Sequence, residues 1–166
     1  MKRQALAAVL TMFVTTVPST RATAQTAATL PAGCTYQTCA LRVEREFWGP
    51  RLVRGAAAEK VGGRLSGFGK GAEVLLESPS DSARVYGRSY VDNSRRAGWL
   101  GLVALAGYAV VAWRTDNFRH GGDLGTEGAI GAVGGGLALI ASDVYTGRAS
   151  TDLTRGVWWY NSTLPR

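Results

Sequence analysis

Apolar and polar positions along this chain fall into several distinct patterns, each pointing to a different element. From Ala5 to Val17 the sequence is apolar, interrupted only by Thr, and Pro18 and Ser19 end the run. Between Ala40 and Gly55 apolar and polar residues alternate: Leu41 and Val43 on one side of Gly49-Pro50, Leu52 and Val53 on the other. This predicts two short strands about a Gly-Pro turn. From Ala56 to Glu77 the rhythm changes. Val61, Leu65, Phe68, Ala72 and Leu75 recur at spacings of four, three, four and three, the signature of one helical face. Region 56–96 therefore reads as amphipathic helix, although Gly62, Gly63, Gly67, Gly69 and Gly71 lie inside it. Each such glycine costs about 1 kcal/mol relative to Ala in a helix interior. The helix would need a surface to lie on, either the protein's own strands or a membrane met through Lys60, Arg64 and Lys70. Ser78-Pro79-Ser80-Asp81 reads as a helix start, with Ser78 as cap and Asp81 facing the positive end of the dipole.

Two uncharged runs follow. Ala97 to Trp113 (AGWLGLVALAGYAVVAW) spans ~25 Å as a helix, at the lower limit for crossing a bilayer. Gly128 to Ser142 (GAIGAVGGGLALIAS), extended to Tyr145 around Asp143, is the second. A polar loop, 114–127, joins them, so 97–145 predicts a two-helix hairpin of transmembrane type. Small residues mark its expected contact: Ala97, Gly101 and Ala104 on the first helix, Gly128, Gly131 and Gly135 on the second. Where lipid replaces water, helices associate by close backbone approach. The glycine spacing is similar to that of glycine-zipper proteins of bacterial envelopes, a likeness confined to one helix. Trp99 and Trp113 near the ends of the first run suit the water–lipid boundary. In the 146–166 tail, Trp158, Trp159 and Tyr160 read as an interfacial anchor or as packing residues, with a partner-binding patch as the alternative.

Charge and cysteine usage give an address. Lys2 and Arg3, the apolar stretch and Ala22-Thr23-Ala24 form the three parts of a cleaved export signal, residues 1–24. The apolar stretch is too short to span a bilayer, which disfavours an uncleaved anchor. Cleavage removes three positive charges (Lys2, Arg3, Arg21), lowering the formal charge from +7 to +4. The basicity is thus partly a property of the leader. Behind it, 25–55 reads as a flexible leader and a small head stapled by a Cys34–Cys39 disulfide, the simplest state for two nearby thiols in an exported chain. Lipidation of Cys34 lacks a suitable box, since Pro31 stands where a small or branched residue belongs. The hairpin flanks carry Arg84, Arg88, Arg95, Arg96, Arg148 and Arg155, against Arg114 and Arg119 in the loop. The positive-inside bias would place the flanks in the cytoplasm, whereas the export signal places the head outside. Export acts first, so the head reads as periplasmic and the protein as a bacterial envelope protein.

Candidate chemistry is sparse. His120 is the only histidine, which argues against a metal site, and with Asp116, Asp123 and Glu127 it reads as a solvated turn. No phosphate-cradling, nucleophile-elbow or zincin motif occurs, and no basic block marks a nucleic-acid reader. The expectation is a mainly α, non-enzymatic envelope protein without cofactor or metal, acting as a structural or accessory subunit. Its partners would be membrane lipids and either further copies or another membrane protein, with no nucleic acid or small-molecule substrate. Two alternatives remain: an oligomeric pore or permeabilising protein built on the same hairpin, and a soluble periplasmic binding module with the hairpin buried.

Overall fold

The computed structural model describes residues 33–119 and 125–165, with side chains up to residue 114 in the first stretch. The expected signal peptide, most of the leader and His120 lie outside the described residues. A short helix α1 (Tyr36–Cys39) opens the head, closed by the disulfide between Cys34 and Cys39, whose Cα atoms lie 5.6 Å apart. Strands β1 (Leu41–Glu46), β2 (Gly49–Arg54) and β3 (Glu59–Arg64) then form an antiparallel sheet in chain order. After the short α2 (Glu73–Leu76) come two long helices, α3 (Asp81–Arg119) and α4 (Gly125–Ser162). At 1.5 Å per residue each is nearly 60 Å long. The fold is mostly helical, as its apolar periodicity predicts.

Several boundaries differ from the sequence reading. The first two strands turn at Phe47-Trp48 rather than at Gly49-Pro50: Glu46 pairs with Gly49 and Arg45 with Pro50. Gly49, at φ +116°, takes up the bend that follows a two-residue turn, and Pro50 sits at the strand start, where its missing N–H does least harm. The helix expected over 56–77 does not form. Its first part is β3, where Leu52 faces Val61 while Arg51 faces Arg64, so the intervening Gly62 and Gly63 bulge. Gly71, at φ +90°, brings its backbone so close to Arg64 that a Cβ would stand 2.6 Å from that residue's carbonyl. A helix would have sacrificed the conformations that only glycine adopts easily. Of the apolar residues of this stretch, Leu65, Ala72 and Leu75 are buried in the head, Val61 is partly buried and Phe68 is exposed.

The helix start is displaced by two residues. Ser80, rather than Ser78, caps α3, accepting a hydrogen bond from the Ala83 N–H at 3.3 Å. Asp81 opens the first turn and pairs with Arg84, which also donates to the Ser78 carbonyl. From there α3 continues without a break into the first uncharged run. Similarly, α4 continues to Ser162, so most of the expected separate tail is nearly the last half of a helix. Both ends of the expected 114–127 loop are helical, since α3 reaches Arg119 and α4 starts at Gly125.

The core sits where the sheet meets the head-proximal halves of α3 and α4. Leu41, Leu52 and Leu75 meet Tyr90, Leu153 and Tyr160 there. The end of α4 is clamped to the edge strand: the Asn161 side-chain oxygen accepts from the Leu41 N–H at 2.7 Å, and its amide donates to the Leu41 carbonyl at 2.8 Å. In effect the Asn161 amide stands in for a neighbouring strand. One turn later the Pro165 carbonyl accepts from the Tyr36 N–H, tying the end of the chain to the disulfide loop.

Candidate functional site: the apolar hairpin

Beyond the head, α3 and α4 run on together with a narrow buried seam and exposed outer faces. Along α3 the seam passes through Ala97, Gly101, Ala104 and Gly107; along α4 through Gly128, Gly131, Gly135, Ala138 and Ser142. Spacings of three and four keep such a stripe facing one partner. Contact between the helices is made largely by backbone. A Cβ on Gly107 would lie 2.7 Å from the Gly131 carbonyl and 2.9 Å from the Gly135 Cα. One on Gly131 would meet the Gly107 carbonyl at 3.0 Å, and one on Gly135 the Ala104 carbonyl at 3.3 Å. At the head-side end, Ser142 donates its hydroxyl to the Ala97 carbonyl at 2.9 Å, and Gly101 faces the same hydroxyl. The structure thus places Ala97, Gly101, Ala104, Gly131 and Gly135 at one interhelical seam, and Gly128, the sixth small residue singled out from the sequence, is buried as well. Gly107 and Ser142 were missed, although Gly107 simply continues the Ala97, Gly101, Ala104 spacing.

Outside the seam the two helices are apolar and uncovered. Leu102, Val103 and Leu105 on α3, and Ile130, Val133, Leu137 and Ile140 on α4, are exposed. In the most apolar stretch of each helix, with mean hydropathy 1.3 and 1.4, only 11% and 22% is buried. Both helices are long and apolar enough to cross a membrane. A soluble monomer rarely exposes more than a few hundred Å² of contiguous apolar surface.

Charge bounds the band at both ends. Distally, Arg114 pairs with Glu127 and stacks on Trp113, its guanidinium 5.7 Å from the ring centre. At the head side, Tyr145 lies between two guanidiniums, Arg96 and Arg148, each 5.7 Å from its ring. Asp143 is exposed at that same level. Trp99, exposed, meets Phe68 of the β3–α2 loop edge to face at 6.2 Å. Trp99 and Trp113 therefore stand near the two limits of the band.

The tail aromatics are elsewhere. Trp158 lies ~20 Å along α4 from Tyr145, at the far end of the head, so Trp158 and Trp159 do not flank the band. Tyr160 is a correction: it is 4% exposed and belongs to the core, because the continuing helix turns it under the sheet. Trp158 is exposed and packs edge to face on Trp159 at 4.8 Å.

In the head-proximal half, polar groups join the helices. Asp152 of α4 accepts from the Ser89 hydroxyl at 2.6 Å and from the Asn93 amide at 2.8 Å, both on α3. Nearby, an open groove of about 350 Å³ separates the sheet from the helices, with Arg45, Pro50, Tyr90, Ala97 and Thr146 on its walls. Burial pushes the Tyr90 hydroxyl above its ordinary pKa. Among the described residues no group of three or more His, Cys, Asp and Glu is placed to hold a metal ion. Comparison with protein-family models, curated proteins and solved structures finds no match for this chain.

Proposed function

We propose that this is a non-enzymatic, exported membrane protein in which a disulfide-stapled head is fixed to a bilayer by the α3–α4 hairpin, serving as a structural or accessory subunit of the envelope. The observation that carries this reading is the apolar band itself. It is exposed around a seam of small residues and ended by charged groups on both sides. Bulky apolar residues facing outward with glycine facing inward is the inverse of a soluble helical pair, and it suits helices whose solvent is lipid. The disulfide suits an oxidising compartment. The soluble-module alternative would leave the same band in water.

The pore alternative draws less support. Arg114 and Asp143, two of the charges that would line a path, lie at the ends of the band, and Arg114 is already paired with Glu127. Washing isolated membranes with alkaline carbonate tests the main reading. The protein is expected to stay in the pellet, and release into the supernatant with peripheral proteins would overturn it. Ion conductance after reconstitution into liposomes would revive the pore.

A further inference from the structure

The β1–β2 turn consists of Phe47 and Trp48, which are 92% and 73% exposed and pack edge to face at 5.1 Å. Two-residue hairpin turns are best served by Gly, Asn or Asp, so the fold has no need of large aromatics there. Their position along the molecule gives them a use. β1 starts beside Asn161, whose side chain holds the Leu41 backbone. At ~3.3 Å per residue the turn lies ~20 Å further on. Over the same span α4 runs back from Asn161 to Thr146, ~22 Å at 1.5 Å per residue. The groove walls agree with this arithmetic, since Arg45 and Pro50, next to the turn, face Ala97 and Thr146 across it. The turn therefore reaches the level at which the apolar band begins.

Other aromatic and basic groups share that level. Trp99 and Phe68 form their edge-to-face pair there, and Arg96 and Arg148 flank Tyr145. Glu46, at the base of the turn, is bound by Lys60 at 2.8 Å. Glu44 and Arg45, also beside the turn, are exposed. We propose that the Phe47-Trp48 turn is a second membrane contact, dipping into the headgroup region of the same leaflet that the hairpin enters. The occupant of this surface is the phospholipid interface, where the amphipathic ring of Trp48 is favoured at the water–lipid boundary and the apolar ring of Phe47 leaves water. The proposal rests on the membrane reading of the hairpin. Its consequence is orientational: the hairpin alone leaves the whole body free to tilt in the bilayer, whereas a second contact on one side sets the sheet against the membrane surface.

The test uses the full chain, reconstituted in vesicles of phosphatidylcholine and phosphatidylglycerol. A polarity-sensitive fluorophore is placed in turn on Trp48→Cys, Phe47→Cys, Val133→Cys and Val85→Cys, with the native cysteines left in their disulfide. Val133 lies within the band and Val85 on the exposed head. Labels at 47 and 48 should be quenched several-fold more by a nitroxide near the lipid headgroup than by aqueous iodide. The label at 133 should respond to a deep nitroxide, and the one at 85 to iodide. If 47 and 48 behave like 85 while 133 stays deep, the second contact is wrong and the membrane hairpin stands. Labels at 47 and 48 shielded from both quenchers would mean that protein covers the turn, which also overturns the proposal. An iodide-accessible label at 133 would overturn the membrane reading together with the proposal.

Discussion

The same two helices bury small residues along both halves, Ala83, Gly87, Ala149 and Gly156 among them beside the sheet, but only the head half adds bulky ones. Beside the sheet, α3 and α4 present Tyr90, Leu153 and Tyr160 to a core closed by Leu52 and Leu75, and their outer positions are largely polar or charged. Beyond Ala97 and Ser142 they present Gly107, Gly131 and Gly135 to each other and leave Leu105, Leu137 and Ile140 outside. In water, helices pair because bulky apolar side chains leave solvent when they meet. In lipid that gain vanishes, and pairing depends on how closely two backbones pack. The change from one seam to the other occurs within a few residues of Ser142, where a hydroxyl-to-carbonyl bond joins the helices.

Four experiments would break or sharpen this contrast, from the largest expected effect to the smallest. Leu75 is fully buried in the head, so Leu75→Ala should cost about 2–5 kcal/mol as a cavity opens. Thermal unfolding in detergent, followed by near-UV circular dichroism, would measure it. Leu105→Ala, made in the exposed part of the band, should leave that transition nearly unmoved. Equal losses at both sites would mean that the band too is a buried core.

The reverse substitution probes the other seam. Gly107→Leu would drive a side chain into the Gly131 carbonyl and the Gly135 backbone, neither of which can rotate away. Overpacking of this kind costs about 1–3 kcal/mol. Cysteines at 101 and 142, where a Cβ added to Gly101 would stand 3.7 Å from the Ser142 hydroxyl, should cross-link less in that variant, while carbonate resistance persists. Undiminished cross-linking would show that the glycines do not set the helix spacing.

Asn161→Ala removes both hydrogen bonds to Leu41 and should lower head stability by about 1 kcal/mol. Hydrogen exchange should rise at the Leu41 amide and leave the band amides unchanged. Faster exchange throughout α4 would mean that the two halves unfold as one unit.

The smallest effect concerns pH. The hydrogen bond from Lys60 holds the Glu46 carboxyl below its ordinary pKa, with Arg51 and Arg64 adding to it. A depressed folded-state value stabilises the fold above the unfolded pKa of about 4.3, and the contribution disappears as pH falls through the folded value. Acid unfolding should therefore be slightly less steep in Glu46→Gln. The pair is solvent-exposed, so the difference is small. A larger change than that from Asn161→Ala would show that the ion pair matters more to the sheet than its exposure implies.

Legibility followed the length and regularity of each pattern. The uncharged runs could be read because long helical stretches dominate their own periodicity, and the small-residue stripe because three- and four-residue spacings survive into the structure. Cys34 and Cys39 lie too close in sequence for a bridge between them to depend on the rest of the fold. The glycine-rich stretch after Ala56 misled, since its apolar spacings suit a helix while its glycines serve a bulge and a tight loop. Tyr160 misled for a related reason: its neighbours Trp158 and Trp159 suggested a common role, yet successive helical residues point about 100° apart.

The sequence by itself determined the lengths of the apolar stretches, the disulfide pair and the faces that small residues occupy, because these depend on spacing along one chain. Only the tertiary structure decided that the aromatic tail is part of a helix docked on the sheet, and that Asn161 holds the edge strand. It also decided that Arg45 and Pro50, beside the Phe47-Trp48 turn, line one groove with Ala97 and Thr146. Those relations join residues far apart in the chain, 120 positions in the case of Leu41 and Asn161. Local periodicity cannot contain them, since they arise only when an extended strand and a long helix, with different rises per residue, are laid side by side.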